Sequence, residues 1–454
     1  MRLVTFVAPP PIPRAAGSLP LLGHAVQLGR DNLAFIAGLR EKYGPLVEIT
    51  LQPGTRTIVV QDPELIRTML TDLGPSLDKG RFFEKMGQLM GESVVTVAGP
   101  EHVRKRRQLQ PAFGRAEIAR YVDLMRGEAD SAVDRWTEGE DLDVREAMVK
   151  LSLDMLVKTV FSGSINAETF TQLRRDLSVV MNGVGVRIML PDWFERLPLP
   201  FNRRFDRARD DARATINEAV AALQATGTGT GDMLSMLMAA TDESTGEPLT
   251  EDQICSEILT LAVAGTETTA SVLSWILYEL ARDPAIESRV LAELDEVLGD
   301  RPVAFGDITR LPYLDRVIKE ALRLHHTGWL VTRRTMTETR LGDWTLPPGT
   351  ELAYCQHALH RDPAFFPDPL AFDPDRWLDG ERSLPPGAFL PWGAGRHKCI
   401  GDRFAVTELI TALATLLRRV RLELDPGRTV RPVARATVRP RTLVMRVRSR
   451  TAAE

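Results

Sequence analysis

The chain has 454 residues and a formal net charge of -4, which does not favour a nucleic-acid partner. Apolar residues make up 44% and charged residues 26%, as in ordinary globular proteins, and no apolar run reaches the ~18 residues of a membrane span. Cys255, Cys355 and Cys399 are widely spaced, so we expect free thiols in a reducing cytoplasm. Residues 1–20 form a proline-rich lead-in without the apolar core of a secretory signal.

The early part of the chain predicts a small β structure followed by many helices. Residues 45–60 alternate in polarity around Pro53-Gly54, which predicts a hairpin. Residues 116–136 and 214–225 have the apolar period of helices. The stretches TGTGTG, 226–231, and TDESTGEP, 241–248, predict loops.

A long helix is predicted from Thr250 to about Asp283. Thr250 can cap its start, Gln253 can reach back to complete a capping box, and the Asp283-Pro284 step ends it. Its centre reads AGTETTAS, 264–271, where Gly265 costs ~1 kcal/mol relative to Ala. This weak centre predicts either a locally opened helix that presents polar groups to a ligand, or a core helix whose threonines bond back to their own carbonyls.

The stretch FLPWGAGRHKCIGDRFA, 389–405, places Cys399 on a glycine-rich loop before an apolar helix. The glycines Gly393, Gly395 and Gly401 permit positive φ and close approach to a flat ligand. A buried inert cysteine and a zinc ligand shared with His397 are alternatives, although zinc would require further ligands. A single thiolate near a helix start is suited to binding haem iron.

Haem propionates need cationic partners, and three candidates stand elsewhere in the chain. His102 and Arg106 are four residues apart and share one helix face, and Arg333 follows in WLVTRRT. The neighbouring Arg104, Lys105 and Arg107 are expected to point towards solvent.

Four motifs in order resemble the cytochrome P450 family. WGAGRHKCIG is similar to the family's haem-ligand signature, with Trp392 in place of Phe and His397 in place of Arg. AGTETT, 264–269, resembles the oxygen-activation motif. The ExxR motif is represented by EALR, 320–323, and the segment that follows it in the family by FDPDRW, 372–377.

The resemblance implies a mainly α fold with a small β subdomain, one domain over 1–454, and haem b between the long central helix and the cysteine-loop helix. It assigns the axial thiolate to Cys399, oxygen activation to Thr268, Glu267, Gly265 and Ala264, and a buried triad to Glu320, Arg323 and Arg376. The implied haem contacts are His102, Arg106, Arg333, His397, Trp392, Gly393 and Gly401.

The implied activity is insertion of one oxygen atom from O2 into a hydrophobic substrate. Electrons would come from NAD(P)H through a ferredoxin reductase and a ferredoxin, because no flavin or iron–sulfur motif is visible in the sequence. Arg104, Lys105, Arg107, Arg396 and Lys398 are expected to attract the acidic ferredoxin. We expect a cytoplasmic monomer. A peroxide-driven haem-thiolate enzyme and a non-catalytic haem sensor are the competing classes.

Substrate-pocket candidates are mainly apolar, which favours a hydrophobic ligand. They are Phe82, Phe83, Met86 and Met90 in an expected loop, Leu261 and Ala264 in the long helix, and Thr327, Trp329, Leu330 and Val331 after the ExxR helix. RLPLPFNRRF, 196–205, and LVTRRT, 330–335, resemble bacterial sesquiterpene hydroxylases, which implies a sesquiterpene or diterpene substrate. A fatty acid, a macrolide or another polyketide stays open.

Overall fold

A computed structural model of the chain describes residues 11–20, 22–52, 55–161, 165–189, 192–226, 232–242, 245–425, 427, 429–435 and 437–450. The expected turn at Pro53-Gly54 and residues 227–231 of the expected loop lie outside these ranges. None of the described helices is both long enough and apolar enough to cross a bilayer.

Helices dominate the described chain, as the sequence predicts. They are α1 Ala25–Ala37, α2 Leu39–Tyr43, α3 Pro63–Leu70, α4 Arg81–Met90, α5 Gly99–Leu109, α6 Arg115–Val133, α7 Val144–Phe161, α8 Ala167–Met189, α9 Asp192–Glu195, α10 Pro200–Thr226, α11 Met233–Ala239, α12 Glu251–Arg282, α13 Pro284–Leu298, α14 Pro312–Leu324, α15 Gln356–Leu359 and α16 Asp402–Arg419.

The strands are short and form small sheets. They are β1 Leu46–Gln52, β2 Thr55–Val60, β3 Leu77–Asp78, β4 Asp141–Asp143, β5 Val331–Thr335, β6 Thr339–Leu341, β7 Trp344–Leu346, β8 Glu351–Tyr354, β9 Val420–Leu424, β10 Pro432–Ala434, β11 Val438–Pro440 and β12 Val444–Ser449. The predicted hairpin is confirmed, because β1 and β2 pair antiparallel with Val47 opposite Val59.

The chain divides into two compact units that interleave along the sequence. The β-rich unit comprises Met1–Phe82, Gly328–Leu370 and Glu381–Cys399, and the helical unit comprises Phe83–Thr327, Ala371–Gly380 and Ile400–Glu454. The prediction that 1–454 is one domain stays a prediction.

The β-rich unit is built on a five-stranded sheet in the order β1-β2-β8-β5-β3. Its apolar core joins Leu46 and Val60 of the hairpin to Met69 and Leu70 of α3 and to Leu352 of β8. Burying these side chains fixes α3 against the sheet, and α3 in turn supports the cysteine loop.

The helical unit is centred on α12, which packs against α7, α8, α10, α14 and α16. The predicted capping box is present: the Gln253 amide N–H donates to the Thr250 hydroxyl at 3.3 Å, and the Thr250 N–H donates to the Gln253 side chain at 2.9 Å. The helix ends at Asp283, before Pro284, as predicted. A separate sheet has the order β4-β12-β9, and β10 and β11 form a hairpin of their own.

Candidate functional site

The cysteine loop of the β-rich unit adopts a conformation that requires glycine. Gly393 and Gly395 have φ of 67° and 66°, in the left-handed region. A Cβ atom on Gly395 would lie 2.0 Å from the carbonyl oxygen of Leu70, so α3 leaves no room for any other residue. The Cys399 amide donates to the carbonyl of Trp392 at 2.9 Å, which closes the loop in front of the cysteine.

The chain is less constrained at Gly401 and at Trp392 and His397, the two positions where it departs from the family signature. Gly401 has φ -95° at the start of α16, so the expectation of a positive φ there is wrong. A Cβ at this position would meet only the Phe113 ring, at an ordinary 3.6 Å. Trp392 and His397 are both half-buried in the loop.

The three cysteines differ in exposure, and this decides which can act as a ligand. Cys255 and Cys355 are buried, and burial raises the pKa of their thiols to about 11 and about 12. Both therefore remain protonated at neutral pH. Cys399 is exposed. The described residues contain no group of three or more His, Cys, Asp or Glu that could hold a metal ion.

Arg333 provides the test of whether the β-rich unit fits a haem propionate. Its guanidinium is buried on β5 and donates to the Thr332 carbonyl at 2.7 Å, and burial lowers its pKa. No carboxylate of the described residues lies within ion-pair distance of it. Tyr354, close enough to raise the pKa of Arg333, has its hydroxyl 3.8 Å from the Cβ position of Gly393. A buried cation beside the cysteine loop thus fits the carboxylate of a propionate.

Helix α5 of the helical unit carries the other two propionate candidates. His102 is 2% exposed and Arg106 is half-buried, and their spacing places both side chains on one face.

The expectation that Lys105 points towards solvent is wrong. Its side chain is fully buried, with Nζ 3.3 Å from Oε1 of the equally buried Glu257 on α12. Arg104 is one-third exposed and is held by ion pairs with Glu101 and, at 3.4 Å, with Asp242. Only Arg107 of the three is exposed. The prediction was wrong because it placed only Arg106, four residues after His102, on the same face of α5. Lys105, three residues after His102, also lies on that face.

The centre of α12 follows the second of the two predicted alternatives. The helix is continuous from Glu251 to Arg282, so the expected opening at Gly265 is absent. The Thr268 hydroxyl instead donates to the Ala264 carbonyl at 2.7 Å, one turn earlier. A Cβ on Gly265 would meet only Leu156, at 3.8 Å, so glycine is not sterically required.

Glu267 points into a surface cleft of the helical unit. Its carboxylate lies 3.5 Å from Nε of Arg439 on β11, and both side chains are about one-fifth exposed. Burial lowers the pKa of Arg439, Arg145 lowers it further, and Glu267 opposes the shift. This pair could not be predicted from the sequence, because its two residues are far apart in the chain.

The structure brings Glu320, Arg323 and Arg376 together. Glu320 and Arg323 are fully buried on α14 and make a bidentate pair at 2.7 and 2.9 Å. Arg376, in the 3-10 turn Pro374–Trp377, lies 3.4 Å from the same carboxylate. The Trp377 indole also donates to Glu320, at 2.9 Å, a partner that the sequence did not suggest.

The substrate-pocket candidates are distributed over several elements. The expectation of a loop near Phe82 is wrong, because this stretch forms α4. Met86 and Met90 of α4 are buried, while Phe82 and Phe83 are half-buried. The remaining candidates divide into the buried Leu261, Thr327 and Trp329 and the half-buried Ala264, Leu330 and Val331.

Glu408 of α16 is a buried acid that the sequence did not single out. It accepts a hydrogen bond from the Thr269 hydroxyl at 3.4 Å. Burial raises its pKa to about 8, and the hydroxyls of Thr269 and Ser152 only partly oppose this shift. Glu408 is therefore mostly protonated at neutral pH, and its partner Thr269 directly follows Thr268 on α12.

The raised pKa of Glu408 makes stability depend on pH. The folded chain holds this proton more tightly than the unfolded chain, whose carboxyl has the ordinary glutamate pKa of 4.5. The stabilisation is complete below that value and is lost as pH rises towards about 8. As pH rises from about 5 to about 8, the wild type loses this stabilisation and Glu408→Gln does not. We therefore expect the unfolding free energy of Glu408→Gln to rise relative to that of the wild type by on the order of 4 kcal/mol over this range.

Urea unfolding of both proteins across that range tests this expectation. Glu423→Gln, at an exposed carboxylate on β9, is the control and should follow the wild type. Parallel pH profiles for Glu408→Gln and wild type would show that Glu408 keeps an ordinary pKa in the folded protein.

Comparison with known proteins gives a consistent result. The profile of the family described as Cytochrome P450 matches residues 10–446. The chain is 41% identical over 430 residues to cyclooctat-9-en-7-ol 5-monooxygenase of Streptomyces melanosporofaciens, covering 93% of each chain. It is 36% identical to pentalenene oxygenase of Streptomyces avermitilis, covering 98% of each.

A solved structure, that of the cytochrome P450DA heme domain, superposes with a TM-score of 0.87 at 27% identity, covering 98% of this chain and 99% of the other. This likeness confirms the predicted mainly α fold with small sheets. With the family profile spanning nearly the whole sequence, the chain belongs to the cytochrome P450 family, haem-thiolate enzymes whose iron is ligated by a cysteine.

Proposed function

We propose that the chain is a monooxygenase that inserts one oxygen atom from O2 into a terpene, a sesquiterpene or diterpene, with haem b as its cofactor. The observation that carries this proposal is the 41% identity, over 93% of both chains, to cyclooctat-9-en-7-ol 5-monooxygenase. The second relative, pentalenene oxygenase, is also named for a terpene. Bound haem supplies the oxygen chemistry, and the residues below position the haem and the protons.

Cys399 holds the iron in this proposal. Its exposure and its place on a glycine-fixed loop support the assignment, since Cys255 and Cys355 are buried thiols. Arg333 neutralises one propionate, because it is a buried guanidinium that lacks a carboxylate partner among the described residues. His102, Arg106 and His397 complete the propionate contacts, and Trp392, Gly393 and Gly401 pack against the macrocycle.

Thr268 and Glu267 handle protons in this proposal. Because the Thr268 hydroxyl donates its hydrogen to Ala264, its free lone pair can accept a hydrogen bond from water. Thr268 becomes a donor when it releases the Ala264 carbonyl. Glu267 lines a cleft that opens to solvent, which suits it to pass protons inward.

A ferredoxin, reduced by NAD(P)H through its reductase, supplies the electrons to a monomeric, cytoplasmic enzyme in this proposal. Arg107 and Lys398 are exposed and Arg396 is half-buried, so these three cations support the docking surface. Lys105 is removed from it because its charge is buried against Glu257. Arg104 contributes less than expected, since two acids already neutralise it.

An optical titration of the ferric protein tests the substrate. Sesquiterpene and diterpene hydrocarbons and alcohols, fatty acids and polyketide lactones are added separately while the haem Soret band is followed. A saturable low- to high-spin shift with terpenes alone is expected. A shift with acids or lactones and none with terpenes would overturn the terpene assignment and leave the monooxygenase intact.

Two controls separate the parts of the proposal. Cys399→Ser is expected to lose the spectral signature of thiolate ligation in the reduced carbon monoxide complex, whereas Cys255→Ala, at a buried thiol, should keep it. Turnover with NAD(P)H, ferredoxin and reductase should be coupled to a hydroxylated product. Product formed only with peroxide, or no product at all, would favour the peroxide-driven enzyme or the sensor.

A further inference from the structure

The cleft that contains Glu267 has an unusual charge. It has a volume of about 320 Å³ and lies between α7, α8, the centre of α12 and the β10–β11 hairpin, all within the helical unit. Its described lining includes five basic side chains, from Arg145, Lys150, Arg174, Arg435 and Arg439, against two acidic ones, which is a formal excess of three positive charges.

Local acids neutralise this charge incompletely. Arg145 lies 3.6 Å from Glu146, and Arg174 lies 3.4 Å from Asp154. Lys150 makes no ion pair with any described residue. Partial burial and the neighbouring Arg135 lower its pKa, Asp154 partly opposes this shift, and Arg174 adds to it.

Among the cations that line the cleft, Arg439 is the one that lies beside Glu267. Its Nε atom is buried, and its distance of 3.5 Å from Glu267 is too long for a good hydrogen bond. The side chain therefore keeps donor capacity. A guanidinium presents a planar fork that matches the oxygens of phosphate, and each such contact is stronger than a neutral hydrogen bond.

The lining extends into a second depression. A neighbouring concavity between α8 and α10 shares Arg174, Ser178 and Asn182 with the first and adds Arg175 and Arg204. Because these cations converge on concave surface from several elements, a small ligand can touch more of them than a protruding protein surface could.

We propose that this cleft binds a small soluble oxyanion of the phosphate or diphosphate type through Arg439, Arg174, Arg145 and Lys150, and that the oxyanion competes with Glu267 for Arg439. The net positive lining supplies the attraction, and the weak Glu267–Arg439 contact supplies the exchangeable partner. When the oxyanion binds Arg439, the Glu267 carboxylate would lose its cationic partner. The concentration of the anion would therefore act on Glu267, the side chain proposed to pass protons inward from solvent.

Inorganic pyrophosphate is the probe, titrated calorimetrically into the haem-loaded protein at constant ionic strength. We expect saturable binding to one site. Arg439→Gln should weaken it by about tenfold or more, since a charged hydrogen-bond partner is lost. Glu267→Gln should strengthen it several-fold, because the competing carboxylate is removed. Opposite signs for the two members of one ion pair are the signature of the proposal.

Controls keep the test independent of folding and of lipid. Arg446→Gln, at an exposed arginine that pairs with Asp141 and does not line the cleft, should bind like the wild type. Lys150→Gln gives a second lining variant if Arg439→Gln unfolds, and should also bind more weakly. Equal affinity in all variants, or no saturable heat, would overturn the proposal. Binding only to vesicles containing phosphatidic acid, with none to pyrophosphate, would also overturn it in favour of a lipid headgroup.

Discussion

Glu320→Gln is expected to cost at least about 3–5 kcal/mol of unfolding free energy, a large part of the ~5–15 kcal/mol that stabilises a typical domain. The Glu320 carboxylate accepts five contacts from donors: two from Arg323, and one each from Arg376, the Trp377 indole and the Asp373 amide. The amide of glutamine cannot accept all five and would bring its own hydrogens against them. Arg323 would also stay fully buried without its counter-charge.

Lys319→Gln is the matched control on the same helix. Lys319 is 37% exposed and pairs with Asp315 at 2.8 Å, so its loss should cost less than about 1 kcal/mol. Chemical unfolding compares the variants, and haem incorporation on expression gives a second reading if Glu320→Gln does not accumulate. Equal, small losses for both variants would show that the network around Glu320 contributes little to stability.

Local chemistry explains what could be predicted from the sequence. The capping box at Thr250, the break at Pro284 and the hairpin of β1 and β2 each depend on residues close together in the chain. The need for glycine at position 393 of the cysteine loop could also be predicted from the local sequence. At Gly395 the decisive contact is with Leu70 of α3, which the local sequence does not show.

Pairings between distant segments could not be predicted in the same way. Arg439 reaches Glu267 only because the β10–β11 hairpin packs against α12. Glu408 becomes a buried acid only because α16 packs on α12 beside Thr269. Charged residues in helices usually face water, so a sequence reading places them there until packing shows otherwise.

Lys105 shows where a usable signal was missed. It lies three residues after His102 and four before Leu109, and all three are buried on α5. Its helical position thus predicts an inward side chain even though its charge predicts the opposite. The conflict between position and charge is itself the sign of a buried ion pair.

Lys105→Met is expected to destabilise the protein by about 3–5 kcal/mol, because it leaves Glu257 charged and fully buried. The backbone amide of Val94 would still donate to Glu257, since it lies 3.0 Å from both carboxylate oxygens. A neutral amide donor cannot replace the charge of the lysine. Arg120→Gln, at an exposed i,i+3 pair on α6, should cost less than about 1 kcal/mol and serves as the surface control.

The double variant Lys105→Met, Glu257→Gln should recover most of the lost stability. Glutamine keeps an oxygen for the Val94 amide while removing the uncompensated charge, and methionine fills the volume of the lysine stem. Urea unfolding of the two single variants and the double variant gives the coupling free energy of the pair. Additive losses would mean that Lys105 and Glu257 stabilise the fold separately, and not through the ion pair between α5 and α12.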